Sequence, residues 1–198
     1  MDFVVTGHAR SGTKYMSKLL QAYGYDVGHE VVGKDGISSW CWGAPPGPVP
    51  YGQEKGEHKY GFLIQVVREP WAVISSCVTT YIAADPATID FMRKSIELPP
   101  PGSPALEMAT AMLCRWQDFI SRQHPALVVQ VEQAPEIITR FLVRHDYEIH
   151  GGELPATDTN TRDNSLELDR SGVSKLPSDL RRELNFYCWK YGYTPVVG

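Results

Sequence analysis

The amino-terminal stretch reads Val4-Val5-Thr6-Gly7-His8-Ala9-Arg10-Ser11-Gly12-Thr13-Lys14. It opens with a short apolar run, which predicts a buried strand, and continues through a loop bounded by two glycines into residues with helical apolar spacing. Such a loop directs main-chain N–H groups at the start of the helix, where they can bind the oxygens of an anion. The stretch therefore predicts a strand, a phosphate-binding loop and a helix.

The two glycines of this loop, Gly7 and Gly12, are spaced as in the nucleotide-binding P-loop. A nucleoside triphosphatase has Gly-Lys-Ser/Thr at the end of the loop, whereas here Thr13 follows Gly12. The cation that can reach across the loop is instead Arg10. This difference separates the chain from ordinary nucleoside triphosphatases.

The composition describes an acidic protein that is large enough for one core. With 198 residues and 42% hydrophobic content, the chain should bury about 70% of its unfolded surface in one domain spanning residues 1–198. A net charge of −4 argues against a nucleic-acid binder. The four cysteines form no Cys-x-x-Cys pair, which predicts a reduced, cytoplasmic protein without a disulfide framework or zinc site. We also expect no membrane span, since that needs about 20 apolar residues in a row.

Strands and helices alternate along the rest of the chain. The apolar run 62–67 predicts a parallel strand covered on both faces, and Arg68 closes it. A short strand is predicted at 25–27 and another at 127–131. Apolar residues at helical spacing predict further helices at 70–81, 86–98, 106–120 and 177–191.

The segment 28–58 is rich in Gly and Pro and predicts a long loop, of a kind that is commonly substrate-facing or mobile. Around it, the alternation of strands and helices predicts an α/β fold. We expect a three-layer α/β/α structure with a central parallel sheet, similar to P-loop nucleoside triphosphate hydrolases. Ligands of such sheets bind beyond the carboxyl ends of the strands, where both the glycine loop and Arg68 should lie.

Two motifs resemble those of the PAPS-dependent sulfotransferases, in which 3′-phosphoadenosine 5′-phosphosulfate (PAPS) donates a sulfuryl group. Arg10-Ser11-Gly12-Thr13 resembles the 5′-phosphosulfate loop of that family. Arg68-Glu69-Pro70 with Ser76 is similar to its 3′-phosphate motif, which has an Arg at a strand end, a Pro two residues later and a Ser eight residues after the Arg. The resemblance implies a cofactor site made of Arg10, Ser11, Gly12, Thr13, Lys14, Arg68 and Ser76.

The second motif also has a physical meaning of its own. Arg68 offers a planar fork of donors to a phosphate, and Ser76, two turns along the following helix, can add a hydroxyl from the same side. Two separate anion sites suit a donor with phosphate groups at both ends. Asn160-Thr161-Arg162 falls where the family often has a C-terminal cofactor-binding loop, which implies a further contact from Arg162.

Sulfuryl transfer resembles phosphoryl transfer in its in-line, loose transition state, so positioning and charge stabilisation should dominate catalysis. Arg10 and the loop amides can supply that stabilisation, and no metal is expected. The acceptor hydroxyl must lose a proton, for which the family uses His or Glu. Glu30 is the first candidate for this base and His29 the alternative, both just after the second strand.

The acceptor is left open as a small molecule or a carbohydrate. Trp40 and Trp42 offer flat faces suited to a sugar, or they cover the core. Two other functions are also compatible with the motifs. One is a P-loop kinase for a small metabolite, which would need magnesium and a lysine on the phosphates, and the other is a nucleotide-binding module without turnover.

Overall fold

The computed structural model of the chain describes residues 1–50, 54–55, 59–82, 85–156 and 170–195. Within these residues the chain is α/β, with a central five-stranded parallel sheet and six α-helices. This is consistent with the predicted three-layer α/β/α class, whereas the P-loop type stays a prediction. In the same ranges, every helix is too short or too polar to cross a membrane.

The strands are β1 (Phe3–Gly7), β2 (Val27–His29), β3 (Gly36–Ser38), β4 (Gly47–Pro48), β5 (Glu54–Lys55), β6 (Phe62–Val67) and β7 (Leu127–Gln130). Five of them form the main sheet in the order β2-β3-β1-β6-β7, and every neighbouring pair is parallel. β4 and β5 form a separate antiparallel pair. The loops that follow the five parallel strands therefore start at one edge of the main sheet.

The helices are α1 (Thr13–Ala22), α2 (Pro70–Cys77), α3 (Pro86–Arg93), α4 (Ala105–Ser121), α5 (Ala134–Arg144) and α6 (Ser178–Tyr191). α2 begins at Pro70, as predicted, and the Glu69 carboxylate accepts a hydrogen bond from the Ala72 amide at 2.7 Å. α6 ends at Gly192, whose left-handed φ of 73° suits a glycine at the end of a helix.

The helices differ from the prediction in three places. α2 ends at Cys77, and a π-helical turn over Val78–Ile82 takes the place of its predicted last turn. α3 ends at Arg93 instead of residue 98, because the Arg93 guanidinium binds the carbonyl oxygens of Leu98 and Pro99 and the chain turns there. α5 was not predicted at all, although Ile138, Phe141 and Leu142 have helical spacing and are buried.

The prediction of a loop over residues 28–58 was wrong in part, because β3 and a 3-10 helix (Trp40–Gly43) lie within it. β3 pairs with β1, and a Cβ atom at Gly36 would lie 2.1 Å from the Phe3 carbonyl oxygen. The glycine that suggested a loop is thus required by a close strand contact. Only residues 30–35 connect the parallel strands β2 and β3, where a helical crossover is usual.

The chain forms two compact units. One comprises Met1–Arg68 and Ile120–Thr161, and it contains the main sheet with α1 and α5. The other comprises Glu69–Phe119 and Arg162–Gly198, and it contains α2, α3, most of α4 and α6. The single domain proposed for residues 1–198 stays a prediction.

The core of the sheet-containing unit lies between one face of the sheet and the helices α1 and α5. α1 contributes Met16, Leu19 and Leu20, which have the helical apolar spacing predicted after the loop and are all fully buried. Burying a side chain of this size stabilises the fold by about 1.5 to 3 kcal/mol. This packing fixes α1, and with it the loop that precedes the helix, against the end of β1.

The other face of the sheet buries polar side chains that are hydrogen-bonded. Thr6 in β1 donates to the Trp40 carbonyl oxygen at 3.2 Å, and Gln65 in β6 accepts from the Ser121 hydroxyl at 3.0 Å. Buried polar groups that are hydrogen-bonded in this way favour one arrangement of the packed segments, because leaving such a group unpaired would destabilise the fold. The 3-10 helix after β3 is thereby held against β1.

The other unit has its own aromatic core. Trp116 in α4 is fully buried, and its ring lies 6.1 Å from the Phe91 ring and 5.4 Å from the Phe119 ring. Arg115 and Glu183 join α4 to α6 through an ion pair of 2.9 Å. The paired guanidinium and carboxylate thus align the two helices beside the Trp116 cluster.

Candidate functional site

The loop after β1 is a tight turn with two left-handed residues. The Ser11 amide donates to the His8 carbonyl oxygen at 2.9 Å, and the φ angles of Arg10 and Gly12 are 75° and 102°. Gly12 is the N-cap of α1 and has no side chain that could cap the first amides of the helix. A Cβ atom there would lie 2.5 Å from Cγ2 of Val131, so the turn requires glycine. The loop therefore directs the amino terminus of α1 at the carboxyl edge of the sheet.

The structure brings Arg68 to this loop. Arg68 directly follows β6, the neighbour of β1, and its Nη1 donates to the main-chain oxygen of Arg10 at 3.3 Å. Both residues are half-buried. The two arginines that the sequence assigned to separate phosphate groups are therefore joined at one turn of the chain.

The other predicted cofactor residues are distributed as follows. Ser11 and Thr13 are buried in the loop and the first turn of α1, and Lys14 is exposed beside them. Ser76 lies half-buried on α2 in the other unit, so its pairing with Arg68 stays a prediction. Arg162 lies outside the described residues.

His29 and Glu30 lie beside the loop at the end of β2. Nε2 of His29 is 3.4 Å from the Thr13 hydroxyl and 3.8 Å from Oε1 of Glu30. The His29 side chain is 33% exposed and that of Glu30 is 22% exposed. Burial, with help from the charge of Lys14, lowers the pKa of His29 to about 4, so its imidazole is neutral at pH 7. The loop thus has a neutral imidazole next to its threonine.

The Glu30 carboxylate sits among hydrogen-bond donors from the chain that follows β3. Its Oε2 accepts from the Ser39 hydroxyl and, at 3.8 Å, from the Cys41 thiol. Burial raises the pKa of Glu30, while hydrogen bonds from Ser39, the Trp40 amide and Cys41 act in the opposite direction. We call Glu30, Ser39, the Trp40 amide and Cys41 the Glu30 cluster. Neither Ser39 nor Cys41 was assigned a role from the sequence.

His8 is a buried titratable residue of the loop to which the sequence assigned no role. Its ring is fully buried, and Nδ1 lies 2.5 Å from the Ala9 carbonyl oxygen, which makes Nδ1 the protonated nitrogen. Among the described residues, Nε2 has no hydrogen-bond partner. Burial lowers the pKa of His8 to about 4, against the effect of the Ala9 carbonyl. The loop therefore contains an uncharged histidine at neutral pH.

The tryptophans after β3 belong to the core. Trp40 and Trp42 are 3% and 4% exposed, so neither ring offers an open face to a sugar. Of the two interpretations made from the sequence, the structural one is confirmed. The serines beside them are buried as well, and the Ser38 hydroxyl donates to the Thr13 carbonyl oxygen at 2.7 Å.

This edge of the sheet brings together candidate anion-binding groups and candidate proton acceptors. The candidate anion-binding groups are the first amides of α1 with Arg10 and Arg68, and the candidate acceptors are His29 and Glu30. Within the part of the chain that the structure describes, no three His, Cys, Asp or Glu side chains form a group that could hold a metal ion. No protein-family model, curated protein or solved structure matches the chain.

Proposed function

We propose that the chain is a P-loop-type sulfotransferase that transfers the sulfuryl group of PAPS to a hydroxyl group of a small-molecule or carbohydrate acceptor. The observation that supports this most is the 3.3 Å hydrogen bond from Arg68 to the Arg10 carbonyl oxygen, in the loop whose Thr13 hydroxyl lies 3.4 Å from Nε2 of His29. It joins both arginines of the resemblance to one loop. The proposed anion-binding groups and proton acceptors then border one loop, as group transfer to a hydroxyl requires.

The residues present fit the 5′ end of such a donor. A phosphosulfate needs several aligned donors, and the loop offers the first amides of α1, the Thr13 hydroxyl and the Arg10 guanidinium. Each well-aimed donor in a dry site contributes about 3 kcal/mol to charge stabilisation, by analogy with oxyanion holes. Arg68 supplies a planar fork for the second anionic group, with Ser76 as its proposed partner.

When bound, PAPS supplies a sulfuryl group, whose bond to the phosphate oxygen breaks while the acceptor oxygen bonds to sulfur and 3′-phosphoadenosine 5′-phosphate (PAP) leaves. Arg10 and the loop amides stabilise the negative charge that develops on the oxygens. The acceptor proton passes to a base at the end of β2. Glu30 is the first candidate, and the neutral imidazole of His29, 3.8 Å away, is the alternative. The proposed reaction requires no metal.

Thermal unfolding with different ligands tests this proposal against its rivals. PAP alone should raise the melting temperature more than ATP with Mg²⁺ does. The reverse order would favour a small-metabolite kinase, in which Lys14, exposed in the first turn of α1, would bind the phosphates.

A second measurement separates an enzyme from a binding module. PAPS carrying radioactive sulfur is incubated with the protein and with pools of phenols, sterols and sugars, and transfer of label to one pool is expected. Stabilisation by PAP without transfer to any pool would favour a nucleotide-binding module.

A further inference from the structure

The backbone around Glu30 is held in an uncommon conformation. The φ angle of Glu30 is 58°, in the left-handed region, and its amide donates to the Ser38 carbonyl oxygen at 3.2 Å. A residue other than glycine adopts this conformation where surrounding contacts over-determine it. The hydrogen bond to β3 is one such contact. It directs the Glu30 side chain toward the residues that follow β3.

Ser39 is the best-anchored donor of the Glu30 cluster. It is fully buried, and its amide donates to the Val5 carbonyl oxygen in β1 at 2.9 Å. Its hydroxyl donates to Oε2 of Glu30 and lies 3.0 Å from the Cys41 sulfur. A hydroxyl fixed in this way by the sheet has little freedom to turn elsewhere. Its hydrogen bond therefore fixes the position of the carboxylate.

Two titratable groups near Glu30, Cys41 and His29, carry no charge at neutral pH. Burial raises the pKa of the Cys41 thiol to about 12, and the pKa of His29 is lowered to about 4. Lys14, the nearby cation, acts on His29. The Glu30 carboxylate is therefore stabilised against its own burial by neutral donors: the Ser39 hydroxyl, the Trp40 amide and, more weakly at 3.8 Å, the Cys41 thiol.

We propose that Ser39 is a positioning residue for Glu30: its hydrogen bond to Oε2 favours the ionised carboxylate, holds Oε1 on the side of His29 and so sets the pH range in which the site can accept a proton. The catalytic role of Ser39 rests on the proposed function. Its effect on the ionisation of Glu30 does not, because the ionisation of a carboxylate is measurable without any substrate.

The test is the titration of Glu30 by carbon-13 NMR of labelled glutamate carboxyl groups, with Glu30→Gln to identify the resonance. In Ser39→Ala the midpoint should move upward by about one pH unit or more, because a hydrogen bond to a charged group is lost. Cys41→Ala should move it less. Ser17→Ala is the matched control, because Ser17 is also buried and donates to the Val27 carbonyl at 2.7 Å, away from Glu30.

A midpoint in Ser39→Ala that moves no further than in Ser17→Ala overturns the proposal. If Ser39→Ala does not fold, Ser39→Cys is titrated in its place. Because a thiol is a weaker donor than a hydroxyl, the midpoint of Glu30 should still move upward. An unmoved midpoint would again contradict the proposal. If the protein is a sulfotransferase, the acidic limb of its pH–rate profile should shift with the NMR midpoint. A shifted midpoint without any sulfuryl transfer would refute the function and leave the role of Ser39 intact.

Discussion

The guanidinium of Arg68 binds the main-chain oxygen of Arg10 at 3.3 Å, across 58 positions of the sequence. Arg10 has a φ of 75°, a conformation that costs a residue other than glycine about 1 to 2 kcal/mol. A charged donor on its carbonyl helps to hold that conformation. Arg68 is thus both a candidate phosphate ligand and a support of the loop that would bind the other end of the nucleotide.

Replacing Arg68 with Ala should weaken PAP binding by about 1.5 to 3 kcal/mol, because a charged hydrogen bond is lost, and should weaken ADP binding less. Isothermal titration calorimetry with both nucleotides measures the difference. Arg144→Ala, at the exposed end of α5, is the matched control and should change neither affinity. Equal losses for PAP and ADP would mean that Arg68 supports the loop and does not bind the 3′-phosphate.

Gly12→Ala should destabilise the protein more than Gly102→Ala does. Both glycines have left-handed φ angles, 102° and 87°, but the added methyl group meets Val131 at 2.5 Å in the first case and open space in the second. The common backbone strain is about 1 to 2 kcal/mol, and the steric clash should add about 1 to 3 kcal/mol at Gly12. Urea denaturation compares the two variants, and similar midpoints would show that the turn can shift away from Val131.

Lys14→Ala should raise the pKa of His29 from about 4, since a positive charge that disfavours the imidazolium is removed. The pKa should stay below 6.5, because burial is the larger cause. Proton NMR of the imidazole follows the titration. Lys18→Ala, one turn further along α1 and also exposed, is the control. A shift of equal size in both variants would contradict a local effect of Lys14.

His8 should make the stability depend on pH. Its pKa is about 4 when folded and about 6.5 when unfolded, so between these values the unfolded chain binds more protons. The contribution to the free energy of unfolding is complete above pH 6.5 and is lost as the pH falls toward 4. In His8→Leu the free energy of unfolding should therefore change less steeply with pH over this window, although His29 adds a pH dependence of the same sign. Urea denaturation at several pH values measures both slopes, and identical slopes would contradict the burial of a neutral His8.

Trp42→Ala should cost about 3 to 5 kcal/mol of stability, because the ring is buried. Trp189→Ala, on the solvent side of α6 at 74% exposure, should change the free energy of unfolding by less than about 0.5 kcal/mol. Chemical denaturation of both variants tests this contrast. A loss of stability in Trp42→Ala no larger than that in Trp189→Ala would contradict the assignment of Trp42 to the core.

The parts of the fold that sequence reasoning predicted have strong local patterns. β1, its loop and α1 have an apolar run, paired glycines and a helical stripe, and β6 is a continuous apolar run closed by Arg68. β3 was missed because three residues that begin with a glycine carry too little periodicity, and what makes them a strand is the contact with β1.

The candidate site was predictable only in part. Arg10 and Arg68 were found through motifs, but their mutual hydrogen bond is a tertiary contact that no local pattern encodes. The same holds for the hydrogen bond from Ser39 to Glu30, which exists because β2 and β3 are parallel neighbours. The local sequence also left the burial of Trp40 and Trp42 undecided, because an aromatic residue in a polar segment can be buried or exposed.

The spacing of Glu30 and Ser39 along the chain is set by the short connection between β2 and β3. Glu30 is its first residue and Ser39 comes just after β3, so the number of residues in between fixes which side chain reaches the acid. One inserted residue at 31–35 that displaced β3 along β1 would reverse the sides on which its residues project and carry the hydroxyl away. Spacing in this segment should therefore matter more than the identity of the exposed residues Val31 and Val32, which can vary while the count stays the same.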